Sequence, residues 1–328
     1  MTKVLRHCWA AAPAPPAALP VQARGRRAVL SRLGAALALL VALPAFAGVS
    51  VNVSGNQAFA TISLPLLAGS VDADVTITFD TPVNLSADAL NLTAEVVDPN
   101  DAALIARLPA CAPACAAVDP AFPLLVTVEP PNVPWLFHAD FDGDQTDSGL
   151  LGFLNSYEIE IHTPDLDCSA AASGDPCPTT AYRLFKAPVG GDFVDYTEDI
   201  LKGSVRARGR DGAFSQFLIV ADTRASLDVE QDKALRLESR IDTPAIDDTL
   251  RSTLLGELAQ AQVAALVDAD YGTAIADVDA LIATVQANAG GAIANAWSAD
   301  HSLVNDAGEI EGLAQTLRYT LVRLQGGN

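Results

Sequence analysis

Basic residues are scarce in this sequence: 20 Lys and Arg stand against 40 Asp and Glu in 328 residues, a formal net charge of −20. A polyanion of that strength repels phosphate backbones and anionic lipid heads, which excludes a nucleic-acid binder. Long apolar runs are also missing. The longest, Leu33 to Leu43, falls well short of the roughly 20 residues that span a bilayer. Catalytic signatures are absent too. There is no GxSxG elbow, no HExxH pair and no glycine-rich phosphate cradle, so no nucleophile, base and orienter can be assigned from spacing. Hydrophobic residues nevertheless make up 50% of the chain and charged residues only 18%. That balance excludes a disordered polyelectrolyte and points to a folded core.

The front of the chain reads as an export signal, residues 1–47. Arg24, Arg26, Arg27 and Arg32 precede the apolar run, Pro44 breaks it, and Ala45-Phe46-Ala47 supplies small residues for cleavage. The Arg26-Arg27 pair resembles a twin-arginine signal. The leader holds six of the 20 basic residues and no acid, so its loss leaves 14 basic against 40 acidic groups, net −26. Expected localisation is therefore periplasmic or extracellular, with no integral span after cleavage. Cleavage removes Cys8 and leaves Cys111, Cys115, Cys168 and Cys177. Four cysteines in an exported chain allow three disulfide connectivities, and proximity favours Cys111–Cys115 with Cys168–Cys177. Zinc is disfavoured because neither spacing is CxxC and no His adjoins either pair.

Texture changes near residue 225. Residues 48–225 contain runs in which apolar and polar residues alternate: Val49/Val51/Val53, Ala58/Ala60/Ile62/Leu64, Val75/Ile77/Phe79, Leu92/Ala94/Val96, Val126/Val128 and Tyr157/Ile159/Ile161. Such runs predict half-buried antiparallel strands, with a short helix over 101–108. Asp211-Gly212 predicts a two-residue turn joining a strand over 204–210 to one over 213–221. The expected architecture is an antiparallel β-sandwich, with a barrel as runner-up. Residues 226–242 read as a linker or connecting helix, and 243–328 as a small three-helix bundle. Thr243 would cap the first of its helices at Pro244, Asp270 the second, and Asp306 with Glu309 would open the third. Stripes at spacings of three and four mark the buried faces: Ile246, Leu250, Leu254, Leu258, Ala261 and Ala265; Ile275, Val278, Ile282 and Val285; Ile310, Leu313, Leu317, Leu321 and Leu324.

Tyr271, Ala274, Ile275, Leu281, Ile282, Val285 and Gly290, with amphipathic helices on either side, resemble the FIMAH-type helical module of bacterial secreted proteins. The segment from Asn305 to Leu324 departs from that pattern in carrying an extra Gly308 and Gly312. The mature chain as a whole is similar to an uncharacterised family of bacterial exported proteins. Neither resemblance implies catalytic residues.

Three places could carry chemistry. Asp140, Asp142, Asp144 and Asp147 surround Gly143, an arrangement of oxygen ligands on a tight turn that suits Ca²⁺, although position 6 is Gln145 and position 12 is Leu151, unlike an EF-hand. The bland alternative is a solvated acidic turn. Arg206, Arg208 and Arg210 share one strand face and form either an anion clamp or an exposed row paired with nearby acids. His138 and His162 each precede two aspartates, but a hairpin would hold them roughly 17 Å apart at about 3.4 Å per residue. His162 is expected on the outward face with Glu158 and Glu160, and His301 is expected to be exposed. These readings add up to a noncatalytic exported protein that binds or scaffolds at the envelope, with a glycan, a peptide or an envelope protein as partner and Ca²⁺ as its one candidate ion. The alternative is a secreted hydrolase acting through carboxylates.

Overall fold

The computed structural model describes residues 48–328 except 68, 111–115, 133–149, 168–180, 202 and 328. The alternating segments form strands in two antiparallel sheets. The first sheet has the order β1 (Gly48–Ser54), β2 (Gln57–Pro65), β3 (Ser70–Val83), β7 (Gly152–Asp167), β11 (Ser204–Asp211), β10 (Asp199–Leu201). The second has β4 (Leu92–Val96), β6 (Leu124–Val128), β12 (Gln216–Asp222), β8 (Tyr182–Ala187), β9 (Val194–Asp195), and β5 (Ala116–Val118) also pairs with β12. Inner-facing residues of both sheets share one apolar cluster: Ile77, Ile159 and Ala207 from the first, Val126, Phe217 and Leu184 from the second. Burying the Ile, Val, Phe and Leu side chains among them is worth roughly 1.5–3 kcal/mol each. Two short helices, α1 (Ala87–Leu90) and α2 (Ala102–Ile105), sit in connections.

The predicted hairpin at Asp211-Gly212 does not form. β11 belongs to the first sheet and β12 to the second, so the chain crosses between sheets there. β12 is buried on both faces. Phe217 and Ile219 join the shared cluster, while Leu218 and Val220 pack with Leu104, Leu108 and Phe193. A near-continuous apolar run is what a strand with two covered faces requires. Gly212 is not needed for a positive φ. A Cβ there would lie 2.6 Å from the Asn305 carbonyl oxygen and 2.7 Å from the Glu309 nitrogen, closer than real Cβ atoms come.

Four longer helices follow: α3 (Ser226–Asp242), α4 (Asp248–Leu266), α5 (Tyr271–Asn288) and α6 (Asp306–Gln325). All four feed one apolar cluster, and α3 contributes Ala234, Leu237 and Ile241 to it. Two helix starts differ from the sequence reading. α4 begins after Asp247, whose carboxylate accepts from the Thr249 and Leu250 amides at 3.0 Å each, because the Thr243 hydroxyl donates back to the Ser239 carbonyl. α6 is capped by Asn305, which accepts from the Gly308 amide at 2.9 Å, while Asp306 and Glu309 each bind Arg240 at 2.6 Å. At α5 the capping residue is Asp270, as the sequence suggested.

The helices are sewn to the first sheet. Between α5 and α6 the chain lays down β13 (Ala296–Ser298) on residues Gly152–Leu154 of β7, in the place that β11 vacates beyond Tyr157. Asn155, at φ 62, interrupts β7 at that junction. Its amide donates to the Asn295 carbonyl at 2.8 Å, and its own carbonyl accepts from the Asn305 side chain. Gly308 and Gly312, the two extra glycines of α6, lie where the helix touches Asn155, Arg210 and Gly212, and neither site has room for a Cβ. Here glycine serves close backbone approach, not a turn.

Candidate functional site

The outward face of the first sheet carries the densest arrangement of polar side chains on described strands. Register sets it in rows across β3, β7 and β11: Asp74–His162–Arg206, Thr76–Glu160–Arg208 and Thr78–Glu158–Arg210. The period of two that buries Ile159 and Ile161 turns Glu158, Glu160 and His162 outward together. The arginines do share one face, and each meets a carboxylate. Glu160 lies 3.3 Å from Arg206 and 2.6 Å from Arg208, and Arg210 lies 3.5 Å from Glu158 and 3.6 Å from Glu198. Burial raises the Glu198 carboxyl above its ordinary value, with Arg210 opposing. An incoming anion would have to displace these carboxylates to reach the guanidinium groups.

At the end of the first row, strand pairing assembles a group that sequence spacing gave no hint of. His162 Nε2 is 2.8 Å from Ser204 Oγ, and His162 Nδ1 is 3.5 Å from an Asp74 carboxylate oxygen. Ser204 follows Gly203, at φ 92, and precedes a register shift that re-aims the start of β11. A hydroxyl, an imidazole and a carboxylate in that sequence of contacts is the arrangement that moves a proton from serine to histidine. The Asp74 side chain is 63% exposed, however, so water screens its hold on the imidazole.

A second polar group is buried where α3 and α6 meet the edge of the second sheet. Lys233 lies 2.8 Å from Asp195, both side chains 2% exposed. Its ammonium also donates to the Thr316 carbonyl and the Thr320 hydroxyl at 3.0 Å each. Burial opposes the charged form of Asp195, but Lys233 and Arg183 outweigh it and hold the carboxyl below its usual range. Lys186 pairs with Asp211, and its ammonium stands 4.9 Å over the Tyr196 ring. Glu230 is buried in α3 without a partner for Oε2, and burial pushes its carboxyl up to about 7. No periodic signal marks these residues, because a lysine or glutamate on a helix reads as solvent-facing.

Among the described residues no group of three His, Cys, Asp or Glu side chains is placed to hold a metal ion. Asp140, Asp142, Asp144 and Asp147, His138, and the cysteines Cys111, Cys115, Cys168 and Cys177 all lie outside the described residues. His301 is exposed, its ring edge-on to Trp297. No helix among the described residues is long and apolar enough to cross a membrane.

These features define a two-sheet protein with helices joined to the first sheet through β13 and to the edge of the second through Lys233 and Asp195, and a polar outer face whose arginines are met by its own acids. The chain belongs to DUF6689, a family of unknown function, whose model matches residues 33–325. Searches of curated proteins and of solved structures returned no match.

Proposed function

We propose that this chain is an exported, noncatalytic protein that binds or scaffolds at the cell envelope. In this reading the leader ends at Ala47, the two sheets are the layers of a sandwich, and α4, α5 and α6 form a three-helix bundle with α3 laid against it. The cysteines close two local loops, and Ca²⁺ is the ion that the carboxylates of 140–147 would take. The observation that carries the binding role is the distribution of unanswered charge. The arginines of the sheet face are matched by carboxylates of that face, whereas residues 252–317 contain no Lys or Arg, and Asp268 and Asp277 there have no ion-pair partner among the described residues. Cell fractionation followed by thiol alkylation and in-cell cross-linking tests it. An envelope product with no alkylatable thiol and one dominant cross-linked partner supports the reading. A cytosolic, reduced, uncross-linked product defeats it.

A second reading, a secreted serine hydrolase in place of the carboxylate-dependent one expected from sequence, is favoured by the contact of Ser204 with His162 alone. Fluorophosphonate treatment with peptide mapping separates the two. Labelling of Ser204 that His162→Ala abolishes supports the hydrolase, and an unlabelled Ser204 removes it.

A further inference from the structure

We propose that the groove between α4 and α5 docks a basic amphipathic helix of a partner protein, an inference that rests on the binding role above and gives its partner a chemistry. α4 is apolar on two faces. Leu254, Leu258, Ala261 and Ala265 are buried in the helical cluster. On another face Val263 and Leu266 stand 53% and 40% exposed, and Val267, just past the helix end, stands 75% exposed. A helix with apolar residues on more than one face ordinarily has a neighbour on each.

The exposed face borders a hollow of about 440 Å³, with Ala259, Gln260, Val263 and Ala264 along α4 and Asp268, Thr273 and Asp277 along its rim. That volume falls within the roughly 300–1,000 Å³ of ligand-binding clefts. Its form, a trough between two antiparallel helices with small residues on one wall, is what a third helix fills by setting its ridges into the groove. Extended peptides instead add to sheet edges, and this trough has none.

Charge then selects the occupant. Asp268 and Asp277 have no ion-pair partner among the described residues, unlike Asp279, which binds Arg318 at 2.6 Å. Arg251 and Arg318 are the nearest basic residues in sequence on either side of this hairpin, with none between. A neutral or acidic helix would leave the rim carboxylates unanswered as it dried the groove, whereas Lys or Arg flanking an apolar stripe would meet them.

The test uses the chain from residue 48 onward and a fluorescent Leu/Lys peptide about five helical turns long, beside a scrambled peptide of the same composition without an apolar face. Anisotropy should show the amphipathic peptide binding roughly tenfold tighter, a difference of about 1.4 kcal/mol. Ala259→Ser with Val263→Ser should erase that preference, and both sites are exposed, so the fold should not suffer. Asp268→Asn with Asp277→Asn should weaken both peptides and flatten the salt dependence. Equal affinity for the two peptides, or a preference that survives the serine pair, overturns the proposal. A photo-cross-linker at position 263 and another at exposed Phe59 separate this from the broader reading. Adducts in the envelope fraction from position 59 only would defeat the groove and leave envelope binding standing. Adducts from neither site, with no peptide preference, would defeat both.

Discussion

Replacing Glu230 by glutamine should stabilise the protein above neutral pH and leave it nearly unchanged near pH 4.5. The residue is 1% exposed, its Oε2 has no partner, and the nearby Lys233 is committed to Asp195. Burial raises its carboxyl from the ordinary 4.5 to about 7. The native state therefore keeps a proton that the unfolded chain has released between those two values, and stability falls as pH rises through that window. The full shift would correspond to about 3.4 kcal/mol at about 1.4 kcal/mol per pH unit. Relaxation of the surroundings about the charged carboxylate reduces this to about 1–2 kcal/mol. A glutamine side chain at this position stays neutral throughout, so E230Q should melt about 2–6 °C higher at pH 8, taking roughly 2–3 °C per kcal/mol for a chain of this size. The assay is a series of thermal melts from pH 4.5 to pH 8 on both proteins. Parallel curves would refute the reasoning, because they would mean that the carboxylate is already satisfied in its charged form.

Other substitutions probe the seam, the helices and the buried ion pair. Gly312→Ala places a Cβ against the Arg210 carbonyl and should lower stability by about 3 kcal/mol or more, whereas Gly256→Ala, in open space within α4, should raise it by about 1 kcal/mol; urea unfolding measures both. Ala269 holds φ 52 in the turn between α4 and α5, so Ala269→Gly should stabilise by about 1 kcal/mol in the same assay. Lys233→Met strands Asp195 in the interior and should cost about 3–5 kcal/mol, with Asp195→Asn in the same chain recovering part of the loss. If the double variant is no better than the single, Asp195 does not carry the charge assigned to it.

Alternation made the strands legible, because a strand with one wet face must place every second side chain in the core. It did not reveal their partners. Ser204–Asp211 and Gln216–Asp222 looked like neighbours across a turn, yet they lie in different sheets, and the glycine between them answers to α6. Ser204, His162 and Asp74 meet only through the register of three strands distant in sequence, which no local pattern encodes. α3 read as a connector because buried Glu230 and Lys233 interrupt its apolar stripe. Gly308 and Gly312 of α6 were visible from the start. Their meaning needed the backbone that they approach.

β13 lies on β7 although the two are separated by three strands of the second sheet, two of the first and three long helices, and the Asn155–Asn295 contact beside it spans 140 positions. A nascent polypeptide therefore cannot finish its central ladder until almost the last helix has been synthesised. Contacts of such long separation close slowly. The consequence is a chain whose first sheet is completed only at the end of synthesis, and one in which cutting away the C-terminal helices together with β13 would bare Gly152–Leu154 of β7.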